Sequence, residues 1–389
     1  MITREELRQL AQVESQAGCA VSFYFQPQTP QDKSHREETI LVKDLVREAL
    51  RQAERGKNHQ GLRDDLQKIL QSAEGLHGNH SRGKVTFACS ERGIWRDIDM
   101  PPRLGRSQLK VDSRFHLRPL VTAQAGSVRT CIALLNRLKA RVFEMDDEGL
   151  REKPHLEFGP LSKIGRSDGY LGYEAGHRER HAENEIKSHF KLFAESLQML
   201  LNLDKFEALL IGCHDDAWPE VEPLLHGELK QRLLGRFLVD PVAASAEEIR
   251  ERAARMIEDK RHAQLQALVR ETIGEAQRNG RGALGLRRVL TALERQEAQT
   301  LIVGRDFKAE AAECAHCRHL DTRMVRHCAV CGHETRNLPD VTDALVDLAL
   351  RSGADIEFID DNPELEKVGH VAALLRFRAD QNTPKKVAV

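Results

Sequence analysis

The sequence predicts a mixed α/β protein built of three domains. Its 389 residues are enough for two or three domains of the usual size. Short apolar segments typical of strands alternate along the chain with longer segments in which apolar residues recur at helical spacing. The hydrophobic fraction of 40% and the charged fraction of 31% are typical of globular proteins. A disordered or fibrous chain is therefore excluded.

The first predicted domain covers residues 1–120 and mixes strands with helices. Apolar runs at residues 21–25 and 85–88 are short and rich in β-branched and aromatic side chains, which favours strands. Between them, residues 41–46 and 62–70 place their leucine, valine and isoleucine side chains on one helical face each. We expect an α/β domain.

The second predicted domain covers residues 121–243. Two strand segments are joined by a connection too short for a crossover helix, so a hairpin is expected. Apolar residues at spacings of three and four then predict a long amphipathic helix from about residue 182 to residue 201. The predicted strands are residues 130–135, 141–145, 208–211 and 237–239.

The third predicted domain covers residues 244–389. Ser245 followed by Glu248 is a capping-box pattern, and it predicts a long connector helix over residues 245–278. Alternating helices and strands follow, which again favours an α/β domain. The predicted helices are one over residues 284–295 and one that ends before Gly353. The predicted strands are residues 300–303, 356–359 and 371–377.

The charges nearly balance over the whole chain but are locally uneven. Lys and Arg number 59 and Asp and Glu 60, which excludes a generally basic protein. The segment from Arg82 to Arg118, however, holds nine basic residues against four acidic ones. It is a candidate surface for a polyanion such as RNA, with an ordinary solvated basic face as the alternative. The candidate contacts are Arg92, Arg96, Arg103, Arg106 and Lys110.

Four of the eight cysteines form two Cys-x-x-Cys pairs separated by ten residues. Two such pairs supply the four thiolates that a tetrahedral zinc ion accepts. A site with four protein ligands leaves no position for substrate, so we expect a structural Zn²⁺ that folds residues 314–333. A redox dithiol pair, unliganded cysteines, or one nearby histidine in place of a sulfur are the alternatives. The predicted ligands are Cys314, Cys317, Cys328 and Cys331.

A glycine-rich segment at residues 159–181 is the second candidate site. Glycines let the backbone approach a polyanion closely, basic residues contact phosphate, and tyrosines offer stacking surfaces for bases. A mobile surface loop without a ligand is the alternative. The candidate contacts are Gly165, Arg166, Gly169, Tyr170, Gly172, Tyr173, Gly176, His177, Arg178, Arg180 and His181.

Other catalytic patterns are absent from the sequence. It has no phosphate-binding Gly-x-x-x-x-Gly-Lys loop, no Gly-x-Ser-x-Gly elbow and no His-Glu-x-x-His pair. Asp215 and Asp216 beside His214 are better interpreted as an exposed helix start than as a metal or acid–base site. No segment reaches the roughly 20 apolar residues of a membrane span, and residues 1–10 lack the apolar core of a signal peptide. We expect a cytoplasmic protein that does not enter a membrane.

The order of elements resembles the archaeo-eukaryotic peptide-chain release factor and Pelota superfamily, in its bacterial branch of Balon-like ribosome-binding factors. The likeness is best where GLRRVLTALERQEAQTLIV (285–303), DALVDLALRSGADIEFI (343–359) and VAALLRFR (371–378) resemble the start and end of the third domain of that superfamily. It is fair over residues 125–260 and weak before residue 120. The resemblance implies an RNase H-like central domain and an L7Ae-like C-terminal domain with a zinc-binding insertion.

The resemblance also implies a function, with two departures. Members occupy the ribosomal A site and usually contact a translational GTPase. This chain has no Gly-Gly-Gln tripeptide, which release factors place in the peptidyl-transferase centre, and no decoding tetrapeptide Asn-Ile-Lys-Ser in its first domain. We expect a non-hydrolytic factor of 70S ribosome hibernation or rescue, with elongation factor Tu as a candidate GTPase partner. The alternatives are a peptidyl-tRNA hydrolase that uses His177 or His181, and a ribosome-independent RNA-binding stress protein.

Overall fold

The computed structural model describes residues 2–26, 36–54, 60–74, 83–100, 107–124, 128–146, 149–153 and 172–379. The chain separates into two compact units. One consists of Met1–Ala125 together with Leu265–Val389, and the other of Gly126–Gln264. Both contain helices and strands, so the mixed α/β class predicted from the sequence is confirmed.

Residues 1–125 form an antiparallel sheet covered by helices. The strands follow the order β3-β2-β1-β4. All six side chains of β1 are buried, because α2 and α3 cover one face of the sheet and α1 lies on the other. Both predicted strands are confirmed as β1 and β2. The elements are α1 (Arg4–Gln12), β1 (Ala20–Phe25), α2 (Arg36–Glu54), α3 (Gln60–Glu74), β2 (Gly83–Cys89), β3 (Ile94–Met100), β4 (Gln108–Asp112) and α4 (Arg118–Gln124).

The unit Gly126–Gln264 is built around a mixed sheet with the strand order β7-β6-β5-β8-β9. The predicted hairpin is confirmed by the antiparallel pairing of β5 with β6, whereas β8 lies parallel to β5 and β9 parallel to β8. Helix α5 covers one face, and the first turns of α8 cover the other. The elements are β5 (Thr130–Leu135), β6 (Ala140–Asp146), β7 (Gly149–Glu152), α5 (Gly172–Asp204), β8 (Ala208–Cys213), α6 (Trp218–Val221), α7 (Gly227–Arg232), β9 (Leu233–Phe237) and α8 (Ala246–Gln277).

Two predicted boundaries in this unit are wrong. The strand expected at residues 237–239 is β9, Leu233–Phe237; the chain leaves the sheet at Leu238, which is 52% exposed, and turns at Asp240 and Pro241. Helix α5 begins at Gly172, about ten residues before the predicted start. Glutamate, alanine and arginine are good helix formers and outnumber the glycines in this first part of the helix.

Residues 265–389 carry a second sheet, with the strand order β10-β16-β11-β15, and a small three-stranded sheet, β13-β12-β14. The predicted helices and strands are present, and their ends shift by a few residues: α9 begins at Leu286 and β16 ends at Leu375. The elements are β10 (Gly282–Leu284), α9 (Leu286–Glu294), β11 (Ala298–Gly304), β12 (Ala311–Cys314), β13 (Leu320–Asp321), β14 (Thr335–Leu338), α10 (Thr342–Ser352), β15 (Asp355–Ile359), α11 (Pro363–Lys367) and β16 (Val371–Leu375).

One hydrophobic core joins the first and last segments of the chain. Helix α1 lies against α10, and apolar side chains from both segments form a single buried cluster. The predicted boundaries at residues 120 and 243 stay predictions, but the contacts place residues 1–125 and 265–389 in one compact unit, while residues 244–264 belong to the other. Members of the shared cluster include Tyr24, Phe87, Phe115 and Leu117 from the first segment and Leu301, Leu345, Val346 and Leu375 from the last.

Helix α5 offers a matched test of the core of the unit Gly126–Gln264. Leu197 is fully buried and Leu192 is 56% exposed on the same helix. We expect Leu197→Ala to lower the free energy of unfolding by about 2–5 kcal/mol, since it leaves a cavity, and Leu192→Ala to change it by less than about 0.5 kcal/mol. Urea denaturation followed by Trp218 fluorescence in a Trp95→Phe background measures both. Equal losses would show that this face of α5 is not buried.

Candidate metal centre and basic surface

The two Cys-x-x-Cys segments fold into equivalent turns. In the first turn, the Cys314 N–H donates to the carbonyl of His319 at 3.0 Å, and the Arg318 N–H donates to the carbonyl of Cys314 at 3.1 Å. In the second turn, the Cys328 N–H donates to the carbonyl of His333 at 2.8 Å, and the Gly332 N–H donates to the carbonyl of Cys328 at 2.9 Å. The same two bonds at the same spacing make the turns local copies of each other.

Each turn closes through a left-handed residue directly after its second cysteine. Gly332 has φ of 75° and Arg318 has φ of 60°. Glycine adopts this conformation without a Cβ penalty, whereas arginine adopts it only where its surroundings compensate. The strained position of Arg318 therefore indicates that the closure of the first turn matters to the protein.

The four predicted sulfur ligands converge. The Sγ atoms of Cys314 and Cys331 are 3.4 Å apart, those of Cys317 and Cys328 are 3.5 Å apart, and those of Cys317 and Cys331 are 3.3 Å apart. These distances are far too long for disulfides. Four sulfurs around one tetrahedral zinc ion would lie about 3.8 Å apart, so these four residues, the four-cysteine cluster, have the size and donor set of a metal site. The cluster could hold a metal ion.

Backbone donors favour the thiolate at the buried end of the four-cysteine cluster. The N–H groups of His316 and Cys317 each donate to the Cys314 sulfur at 3.4 Å. Burial raises the pKa of the Cys314 thiol, but these bonds, together with hydrogen bonds from the thiols of Cys331 and Cys317, lower it to about 6. A thiolate is the form that binds metal. The Val330 N–H makes the corresponding 3.4 Å bond to Cys328 in the second turn.

Three of the nearby histidines have defined contacts beside the four-cysteine cluster. The rings of His316 and His333 are stacked with their centroids 4.0 Å apart and their planes within 7° of parallel. A metal ion lies in the plane of each imidazole that binds it, and two stacked parallel rings cannot share one such point. His319 is engaged elsewhere, with its Nδ1 atom 2.7 Å from Oε1 of Glu294. The stacking therefore argues against a site that uses both rings, although ligand atoms of His316, His333 and Cys331 also lie close together.

Part of the predicted basic surface is used inside the molecule. Lys110 is 2.8 Å from Asp343 on α10, and Arg92 donates to the backbone carbonyl of Glu14 at 2.7 Å. Arg96 is exposed and lines a cleft of about 500 Å³ between α1 and β3. The predicted contacts Arg103 and Arg106 lie outside the described residues.

The structure adds ion pairs that the sequence analysis missed. Arg114 is 10% exposed, contacts Glu313, and lies 3.4 Å from Asp347. Arg118 lies 3.7 Å from Asp340. A signal was present: Asp343 and Asp347 are four residues apart, so they share one face of α10, and Asp340 lies two residues before that helix. Basic and acidic residues of distant segments thus meet within one unit.

The glycine-rich segment is described only in part. Gly165, Arg166, Gly169 and Tyr170 lie outside the described residues. The remaining candidates belong to the first turns of α5, where only the backbone is described, so this part of the predicted loop is helical instead. They are Gly172, Tyr173, Gly176, His177, Arg178, Arg180 and His181.

The aspartates after β8 are held by arginines. Asp215 accepts from Arg236 at 2.6 Å, and Asp216 lies 3.7 Å from Arg137. The guanidinium of Arg236 also lies over the ring of Trp218, at 5.7 Å from its centroid. This arrangement supports the interpretation of an exposed, ion-paired segment. In the part of the chain that the structure describes, no helix combines the length and the apolar character needed to cross a membrane.

Comparisons with known proteins point to one superfamily. Residues 116–258 match the model of bacterial archaeo-eukaryotic release factor family 10. Peptide chain release factor subunit 1 of Archaeoglobus fulgidus is 25% identical over 321 residues, which are 77% of this chain and 77% of that protein.

Solved structures of similar extent are more distant. The archaeal translation termination factor aRF1 is 18% identical, with a TM-score of 0.25 and coverage of 97% of this chain and 99% of that one. A model of ribosome-bound archaeal Pelota and ABCE1 gives 13% identity and a TM-score of 0.42, with coverage of 97% and 94%. Residues 116–258 are therefore similar to a bacterial archaeo-eukaryotic release factor family, and most of the chain is similar to an archaeal peptide chain release factor.

Proposed function

We propose that this chain is a translation factor that occupies the A site of the 70S ribosome, in hibernation or rescue, and does not release the nascent peptide. The observation that carries the proposal is the absence of Gly-Gly-Gln from a sequence that is otherwise similar to release factors. Peptide release needs a polar group held close to the attacking water, and this chain lacks the tripeptide that supplies it in release factors. The archaeal relative, named a peptide chain release factor, supports the link to translation.

The proposal assigns a task to each part of the chain. Of the predicted basic surface, Arg96, Arg103 and Arg106 contact ribosomal RNA near the decoding region, whereas Arg92 and Lys110 already have intramolecular partners. The segment from Gly165 to His181 approaches the peptidyl-transferase centre. The mixed sheet of β5–β9 with α5 on one face supports an RNase H-like central domain. Residues 265–389, as an L7Ae-like domain, contact a translational GTPase such as elongation factor Tu, and the protein works in the cytoplasm.

We propose further that the four-cysteine cluster holds a structural Zn²⁺. Three observations support it: the converging sulfurs, the two equivalent turns and the backbone donors to Cys314 and Cys328. When bound, zinc would cross-link the two turns through Cys314, Cys317, Cys328 and Cys331. With four protein ligands the site offers no position for substrate, so its contribution is to folding.

The zinc proposal predicts one tightly held zinc per chain. Structural zinc sites contribute on the order of 10 kcal/mol to local folding, so the metal should survive purification. We expect Cys328→Ser to lower the zinc content to well below half an equivalent. Cys19→Ala removes a buried cysteine outside the cluster and should keep the full equivalent. Elemental analysis of the purified proteins measures their zinc content. A wild-type protein with less than about half an equivalent of zinc per chain contradicts the assignment.

The A-site proposal predicts ribosome binding that weakens steeply with salt. Each lost phosphate contact should reduce the slope of log affinity against log salt by about 1. We expect Arg96→Ala/Arg103→Ala/Arg106→Ala to reduce this slope. Arg47→Ala/Arg51→Ala alters two exposed arginines of α2 and should not change it. Sedimentation with vacant 70S particles across a salt series measures the slopes, and equal slopes for all three proteins would contradict the RNA contact.

Peptide release should be absent. On ribosomes carrying labelled peptidyl-tRNA, we expect the wild-type protein to release no more peptide than a factor-free sample does, while it protects the peptidyl-transferase centre from chemical probing. A Gly-Gly-Gln release factor run in parallel shows that the ribosomes are competent. Release well above background that disappears in His177→Ala or His181→Ala would instead establish a hydrolase.

A further inference from the structure

The residue before the first cysteine of the four-cysteine cluster connects this cluster to residues 1–125, the N-terminal segment. Glu313 precedes Cys314 at the end of β12 and is only 2% exposed. Its carboxylate accepts from Arg114 of the N-terminal segment and, at 2.6 and 2.9 Å, from Arg336 on β14. The position of Glu313 therefore fixes that of Arg114.

A second link starts directly after Cys317. Arg318 is the left-handed residue that closes the first turn, and its guanidinium contacts the carboxylate of Glu14 near the end of α1. The Arg318 side chain is only 12% exposed. The loop that follows Glu14 is in turn tied to the end of β4, since the Ser15 N–H donates to the carbonyl of Ser113 at 2.9 Å. Both links therefore contact the same part of the N-terminal segment, one at Arg114 and the other at Glu14.

The insertion that contains Arg318 and directly follows Glu313 has little apolar support of its own. Between residues 315 and 334 only Leu320 and Cys328 are buried. Strand β13 has two residues, and its pairing with β12 consists of Ala312 with Asp321 and Glu313 with Leu320. A segment of this size without a core needs a cross-link to hold one conformation. The four-cysteine cluster is the cross-link that the segment contains.

We propose that the four-cysteine cluster, in its metal-bound form, positions Glu313 and Arg318 as a latch that docks Glu14 and Arg114 of the N-terminal segment. The proposal rests on the metal site proposed above and adds a role to it. Loss of the metal removes the cross-link between the two turns, so Glu313 and Arg318 are no longer held in position. Arg114 then keeps only one of its two buried acidic partners, and Glu14 loses its contact with Arg318.

Other contacts between the segments do not depend on the cluster. Lys110 and His116 contact Asp343 at 2.8 and 2.9 Å, and Arg4 contacts Asp355 at 2.7 Å. These acidic residues lie on α10 and β15, which belong to the shared core and not to the insertion. The latch therefore governs local docking around Glu14 and Arg114, and its loss should loosen that region without unfolding the unit.

Hydrogen–deuterium exchange of the full chain tests the latch. We compare protein as purified, protein treated with a zinc chelator, and protein reloaded with Zn²⁺. After chelation we expect amides of residues 13–19 and 113–121 to exchange at least about tenfold faster, together with those of residues 314–335. Amides of β5 and β8 in the other unit should not change. Reloading should restore protection in both regions.

Two variants test the link without touching a ligand. Arg318→Ala removes the contact to Glu14, while Arg323→Ala removes an exposed arginine of the same insertion that pairs only locally with Asp321. Both should retain one zinc per chain. We expect faster exchange of residues 13–19 in Arg318→Ala and wild-type exchange in Arg323→Ala.

The failures are distinguishable. If the purified protein contains no zinc, the metal site itself is wrong. If residues 314–335 lose protection on chelation while residues 13–19 and 113–121 keep it, the metal site stands and the latch is wrong. Wild-type exchange of residues 13–19 in Arg318→Ala, with zinc retained, also contradicts the latch.

Discussion

The buried guanidinium of Arg114 is the constraint around which the larger unit is organised. It lies between Glu313 and Asp347, and both carboxylates are almost fully buried. Burying a charge is costly unless it is paired, so the buried position of Arg114 depends on these two carboxylates. Arg114 follows β4, Glu313 lies in β12 and Asp347 lies on α10. One ion cluster therefore fixes the N-terminal sheet, the cysteine insertion and a core helix relative to one another.

This constraint changes the meaning of the basic stretch. In sequence, the run from Arg82 to Arg118 resembles a surface for a polyanion. In the structure, Lys110, Arg114 and Arg118 contact acidic residues of the C-terminal segment. A basic residue that already has an intramolecular partner has less to gain from a phosphate. We therefore assign the proposed RNA contact mainly to residues of the stretch that do not contact α10, such as the exposed Arg96.

The unit Gly126–Gln264 is organised differently. Its core is apolar and local: α5 packs Phe190 and Phe193 against one face of the mixed sheet, and the start of α8 packs Ile249 against the other. The family match covers this unit almost entirely. The match to the family model therefore concerns mainly this apolar unit.

The sequence by itself determined what depends on short-range spacing. The strands β1, β2 and β5 follow from short apolar runs, the amphipathic stripe of α5 from a spacing of three to four residues, and the two cysteine turns from Cys-x-x-Cys spacing. All of these patterns involve residues close together in the chain. It could not determine where α5 begins, since helix formers and glycines compete there, or where β9 ends. Only the tertiary structure decided that the first and last segments form one unit. The contact between Arg114 and Glu313 spans 199 positions, and a charge pattern does not reveal which distant partner it will meet.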